Sequence, residues 1–310
     1  TYASGDIALS AISFSADPVK VLFDNLIVQS IGNPYQYGDR TPYPVTITNN
    51  SAREICSVYI SPNENDNWGE NWLSGSLTFG AGDMLTFEDN LNQVVDIQVE
   101  GCDFTRLFEG YLIDLAVNNQ ITVNEPVVLK RYDFTSYDGW SMGGIPGGTA
   151  TITQGDYYTL TTQAGGAFSS GVAAFPIADV TLRADASLAK FGEPSPAVYG
   201  IICRVQEDGS GIFFAVRSDG FGSVQKWDGS TLTPLTDWIT SSAVKQGINA
   251  NYIEGNCKGN HFSLYVNGDY VTETVYDGYP TGKIGVGVVP GGSTSLRVDF
   301  DFVEALEPLK

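Results

Sequence analysis

The chain is poor in cations and in catalytic side chains. It has 310 residues with one histidine, two methionines and 16 lysines and arginines against 36 aspartates and glutamates, a formal net charge of −20. That imbalance excludes nucleic acid and anionic lipid as partners, because no basic cluster offsets the acidic field locally. A single histidine, His261, leaves a zinc site without ligands at useful spacing. It follows Gly259-Asn260 at a turn with no Ser or Cys motif beside it, so it carries no catalytic expectation. No apolar run approaches the roughly 20 residues of a membrane span, and helical runs rich in Leu, Ala, Glu and Lys are almost missing. Also absent are a Glu-x-Asp-x-Glu strand, which in retaining glycosidases sets two carboxylates about 5 Å apart, a Gly-x-Ser-x-Gly elbow, an HExxH pair and a phosphate loop. These absences read as a protein that is not an enzyme.

What is present is a β composition, with 35 Gly, 14 Pro and abundant Thr, Val and Tyr, over a length that suits about two domains. The stretch Gly282 to Val303 repeats one near the start. Gly5, Ile7, Leu9, Val21, Phe23 and Asp24 align without gaps on Gly282, Ile284, Val286, Val298, Phe300 and Asp301. Each copy alternates apolar with small or polar residues about a central turn, which predicts a β-hairpin with one buried face. The first copy, residues 1–30, stands apart from any domain before it, and a hairpin alone is marginal in water. Three readings are open for its apolar residues Ile7, Leu9, Val21 and Phe23: they pack on the small sandwich of the same chain, they are the remnant of a jelly roll removed by processing, or they augment a sheet of a neighbouring subunit, the reading favoured here. A head-to-tail contact of that kind yields a filament. Thr1 in place of Met reads as a processed mature chain. Residues 31–44 form a Pro/Gly/Tyr-rich connector.

Over 45–127, short strand signals separated by Asn, Gly, Pro and Asp predict a small β-sandwich. Its course through ITNNS, IC, VYISP, WGENWL and GCD resembles a small cysteine-containing domain of secreted multidomain bacterial proteins. The loop Ser61 to Trp72 admits three readings. Glu64, Asp66 and Glu70 are hard oxygen ligands suited to calcium, Trp68 and Trp72 suit stacking on sugar rings, or both tryptophans cap the core while the acids are solvated.

The segment 130–307 opens with Asp133-Phe134 and Gly139-Trp140. It continues through YGIICR (199–204), Ser218-Asp219-Gly220, Leu235 to Trp238 and Asn256-Cys257, and ends with LYVNG (264–268) and Val298 to Asp301. In that order these landmarks resemble the laminin-G-like or concanavalin A-like jelly roll of secreted bacterial proteins, related to the 3-keto-disaccharide hydrolase-like domain. The resemblance implies a jelly-roll sandwich and leaves activity open, because lectins, hydrolases and spacers share that fold. The expected fold class is thus all-β: a small β-sandwich, then a jelly-roll sandwich, with an extra N-terminal hairpin. Asn267-Gly268 and Asp228-Gly229 are expected hairpin corners. Arg204 is expected to pair with a carboxylate or lie across Trp238.

The four cysteines lie two in each half. Pairing Cys56 with Cys102 and Cys203 with Cys257 keeps each bridge within one predicted sandwich and implies an extracellular protein; the alternative is four buried thiols. Asp133 and Asp301 are candidate calcium ligands where the first and last strands of the jelly roll meet. Two functions compete: a polymerising subunit of an extracellular filament or surface layer, and a polysaccharide-binding adhesion module of a secreted protein.

Overall fold

Short Thr/Val/Tyr-rich segments punctuated by Gly and Asn become strands throughout, and no helix occurs among the described residues. The computed structural model describes residues 42–62, 68–73, 77–88, 90, 92–153, 156–163, 168–190, 196–290 and 295–309. The chain divides into two compact units, Thr1–Thr41 and Pro42–Lys310. The first lies outside the described residues, and with it the N-terminal repeat that carries Ile7, Leu9, Val21 and Phe23.

Six strands form the small sandwich: β1 (Val45–Asn50), β2 (Ile55–Pro62), β3 (Met84–Phe87), β4 (Val94–Gly101), β5 (Arg106–Asp114) and β6 (Gln120–Asn124). They make two three-stranded sheets, ordered β3-β1-β6 and β2-β4-β5. Alternate residues Val45, Ile47, Val58, Ile97 and Val99 are fully buried between them, as expected of half-buried strands with a period of two. Cys56 is bonded to Cys102 at the sandwich edge.

The larger sandwich comprises β7 (Val128–Tyr132), β8 (Gly143–Ile145), β9 (Gly148–Thr153), β10 (Tyr157–Thr162), β11 (Ser169–Ile177), β12 (Val180–Lys190), β13 (Val198–Val205), β14 (Gly211–Arg217), β15 (Phe221–Trp227), β16 (Leu232–Pro234), β17 (Ile239–Thr240), β18 (Asn251–Lys258), β19 (His261–Val266), β20 (Asp269–Val275), β21 (Gly282–Val289) and β22 (Arg297–Leu306). A nine-stranded sheet runs β20-β19-β18-β12-β22-β10-β9-β8 with β7 beside β22, and a seven-stranded sheet runs β11-β21-β13-β14-β15-β16 with β17 beside β15. From β10 to β13, and again from β20 to β22, successive strands alternate between the sheets, which makes this a jelly-roll sandwich. Ile201, Phe214, Ile253, Leu264, Val286, Val298 and Phe300 fill the interior. Gly255 is required there, because a Cβ would lie 2.4 Å from the Phe214 ring. Cys203 and Cys257, on opposite sheets, are bonded through this core.

The hairpin predicted at Gly282 to Val303 is not one. β21 pairs with β11 and β13, β22 with β10 and β12, and the two never pair with each other. Their apolar faces meet across the interior rather than side by side, so the segment is an arch between the sheets. Asn267 and Gly268 both adopt positive φ (51° and 92°) at the β19–β20 corner, and Gly229 does so at 90°, which suits tight turns. Arg204 pairs with Asp179 at 3.2 Å and lies over Phe262; the cation above Trp238 is Arg217. Among the described residues, no helix is long and apolar enough to cross a membrane.

Candidate functional site

The outward face of the nine-stranded sheet is not left to solvent. Alternation along β12 and β18 points Arg183 and Glu254 away from the jelly-roll core, yet both are almost fully buried, because β5 of the small sandwich lies on them. Arg106 of β5 reaches across: its Nη2 donates to Glu254 Oε1, and its guanidinium sits 3.7 Å above the Tyr265 ring. Its Nη1 lies 2.7 Å from Glu109 Oε2, an ion pair without hydrogen-bond alignment. Arg183 Nε donates to Glu254 Oε2 at 2.6 Å, and its Nη2 to the Arg106 carbonyl at 2.9 Å. Burial alone would raise the Glu254 carboxyl, but Arg106 and Arg183 outweigh it and hold the group below its ordinary range.

Beside this buried network the two sandwiches leave a groove of about 630 Å³, the size of a small-ligand site. Its walls are Tyr59, Trp68 and Tyr111 from the small sandwich and Tyr265 and Tyr270 from the jelly roll, with Asp96, Gln98, Asp269 and Glu273 among them. A β-bulge shapes each wall. In β5 the register slips between Gly110 and Ile113 opposite Val95 to Ile97. Leu112 is held there at φ 54°, with its N–H bonded to Asp96 Oδ1 at 2.7 Å. That places Tyr111, 60% exposed, against Trp68 with ring centroids 5.6 Å apart. In β20 the register slips between Tyr270 and Thr272, and Tyr270 packs edge-on against Tyr265 at 5.5 Å. Bulges concentrate beside binding sites because the extra residue re-aims a side chain, and a non-glycine residue at positive φ marks strain that the surroundings must hold.

Of the residues singled out in the sequence, Trp68 is in the groove. Trp72 follows the capping reading of that loop: its indole N–H donates to the Ile60 carbonyl at 3.1 Å, and its ring packs edge-on against Phe87 at the edge of the small core. Glu70 is exposed two residues beyond Trp68, whereas Glu64 and Asp66 lie outside the described residues. Asp133 accepts from the backbone and hydroxyl of Thr135, and these bonds lower its pKa. Burial, and after it the like charge of exposed Asp301, raises the Asp185 carboxyl. Among the described residues, no group of three or more His, Cys, Asp or Glu side chains is disposed to hold a metal ion. Sequence reasoning missed Tyr59, Tyr111, Tyr265, Tyr270 and the groove carboxylates. The available signal was the pair of tyrosines flanking the Asn267-Gly268 turn, one of them on a strand's polar face.

No family model matches the chain, and no curated protein sequence matches it. Among solved structures it is similar to a carbohydrate-binding module of Bacillus subtilis (16% identity over 52% of this chain and 91% of that one, TM-score 0.43). It is also similar to a Bacillus licheniformis β-glucanase (10%, 58% and 97%, TM-score 0.44), and to a galectin-like protein of unknown function from Bacillus subtilis (13%, 59% and 99%, TM-score 0.42).

Behind the groove, Glu100 is buried, accepts from Gln98 Nε2 at 2.5 Å, and is pushed up to about 8 by desolvation against the pull of Arg106. Its folded pKa therefore exceeds the unfolded one. The folded state keeps a proton that the unfolded chain has released, so stability is full below the ordinary carboxylate range and falls as pH rises toward 8. The expected result is a loss of a few kcal/mol between pH 5 and pH 9 that Glu100→Gln abolishes. Urea unfolding of both proteins at the two pH values checks it; a wild-type chain equally stable at both would refute the assignment.

Proposed function

We propose that the protein binds carbohydrate without turning it over, as a module of a secreted protein, and that the groove between the sandwiches is its binding site. One observation carries this reading: two β-bulges, one from each sandwich, present Tyr111 and Tyr270 on opposite sides of a groove that also contains Trp68 and hydrogen-bonding Asp and Gln side chains. Sugar rings need both components, since their C–H faces stack on aromatic rings while their hydroxyls exchange hydrogen bonds with carboxylates and amides. The two disulfides suit an oxidising compartment. The sequence has no paired-carboxylate strand motif, and Asp96 is engaged in holding Leu112, which favours binding over hydrolysis. The filament reading rests on the N-terminal repeat, outside the described residues, and gains no support from the groove.

Trp68→Ala combined with Tyr270→Ala should abolish retention on the polysaccharide the chain binds while leaving the melting temperature within a few degrees. Stacking contributes about 0.5–1.5 kcal/mol per ring beyond buried area, so losing two weakens binding by at least about fivefold. Affinity electrophoresis across a panel of polysaccharides gives the answer, and release of reducing sugar from any of them would replace binding by hydrolysis.

A further inference from the structure

The charge of the groove is one-sided. Asp96, Asp269 and Glu273 line it, while no Lys, Arg or His is among its described lining residues. None of these three carboxylates belongs to an ion pair among the described residues. Partial desolvation raises Asp269, and Tyr270 is pushed up to about 12 by burial and by the charge of Glu273. A second observation is independent of the acids. Gln98, 2% exposed and part of the groove wall, has a side-chain carbonyl oxygen that accepts no hydrogen bond among the described residues. A buried acceptor left unmade costs free energy, so the groove is short of N–H or O–H donors and of positive charge together. Aromatic faces add to this, because an ammonium group is attracted to their π-clouds.

We propose that the groove selects glycans bearing free amino groups, polymers of glucosamine type, over neutral, N-acetylated and uronate glycans. Asp269 and Glu273 receive the sugar ammonium, Gln98 Oε1 accepts from an N–H or O–H of the same unit, and Trp68, Tyr111 and Tyr270 stack on the rings. The net charge of −20 repels uronates before they arrive. This selectivity rests on the groove being a glycan site.

The test is isothermal titration of the whole chain, at mildly acidic pH and low salt, with four oligosaccharides of equal length: glucosamine, N-acetylglucosamine, glucose and a uronate. The glucosamine oligomer should bind about tenfold tighter than its acetylated counterpart, the sum expected for two partly exposed ion pairs. That margin should collapse at high salt and in Asp269→Asn/Glu273→Gln, two exposed positions whose replacement leaves the fold intact by circular dichroism. Equal binding of the amine and acetylated or neutral oligomers would overturn the selectivity while leaving a glycan site in place. Binding of none of the four, with a folded chain, would overturn the glycan reading and this proposal with it. A margin that survives the double variant would move amine recognition elsewhere and refute the assignment of these carboxylates.

Discussion

Glu254→Gln is expected to cost about 3–5 kcal/mol of unfolding free energy, among the largest effects of any substitution on the polar faces of this chain. Glu254 divides its two oxygens between Arg106 and Arg183. Removing its charge leaves the Arg183 guanidinium, 0% exposed, with no carboxylate against it, and leaves Arg106 only Glu109. The cost is the desolvation of an unpaired cation, not the intrinsic worth of the pair. Replacing Arg106, Arg183 and Glu254 together by apolar residues of matching volume should therefore recover part of the loss, since the charge then left without its cation is Glu109, whose side chain is 10% exposed. Denaturant titration of the single and triple variants makes the comparison; a single-variant loss below about 1 kcal/mol would mean that water reaches the network.

The second large effect concerns the bond between Cys203 and Cys257. It joins β13 of one sheet to β18 of the other, both sulfur-bearing residues are fully buried, and it closes a separation of 54 residues. Cys203→Ala/Cys257→Ala should lower stability by about 4 kcal/mol in the chain-entropy account. Under mild reductant the two bridges should also part company. Cys102 is exposed, so its bond to Cys56 should open in the folded protein, whereas the core bridge should yield only at the rate of unfolding. Mass spectrometry of alkylated protein over a reduction time course reads this directly, and simultaneous loss of both bonds would contradict the burial of the inner one.

The strands were legible because their cause is local: period-two apolarity between Gly, Asn and Asp corners needs no knowledge of distant residues. The Asn267-Gly268 corner was legible for the same reason. The partners of β21 and β22 were not, because alternating residues about a turn read alike whether the two strands lie side by side or face each other across a core. Within the Ser61 to Trp72 loop, two tryptophans of equal chemical promise separate only once Trp72 finds the Ile60 carbonyl and Trp68 does not. The groove itself was beyond reach. Tyr111 and Tyr270 come from different sandwiches, and each is aimed by a register slip that leaves no mark in composition.

The arch from β21 to β22 also governs when the chain can fold during its synthesis. β21 lies between β11 and β13, and β22 between β12 and β10, so each fills an interior slot of its sheet whose flanking strands are made much earlier. Until Leu306 has left the ribosome, those flanking strands expose open edges on both sides of two unfilled gaps, and neither half of the sandwich can close by itself. Such long-range pairing is slow and prone to aggregation. Folding is thereby deferred until translation has passed the arch, and any chaperone or export machinery meeting the nascent chain finds it still unclosed and threadable.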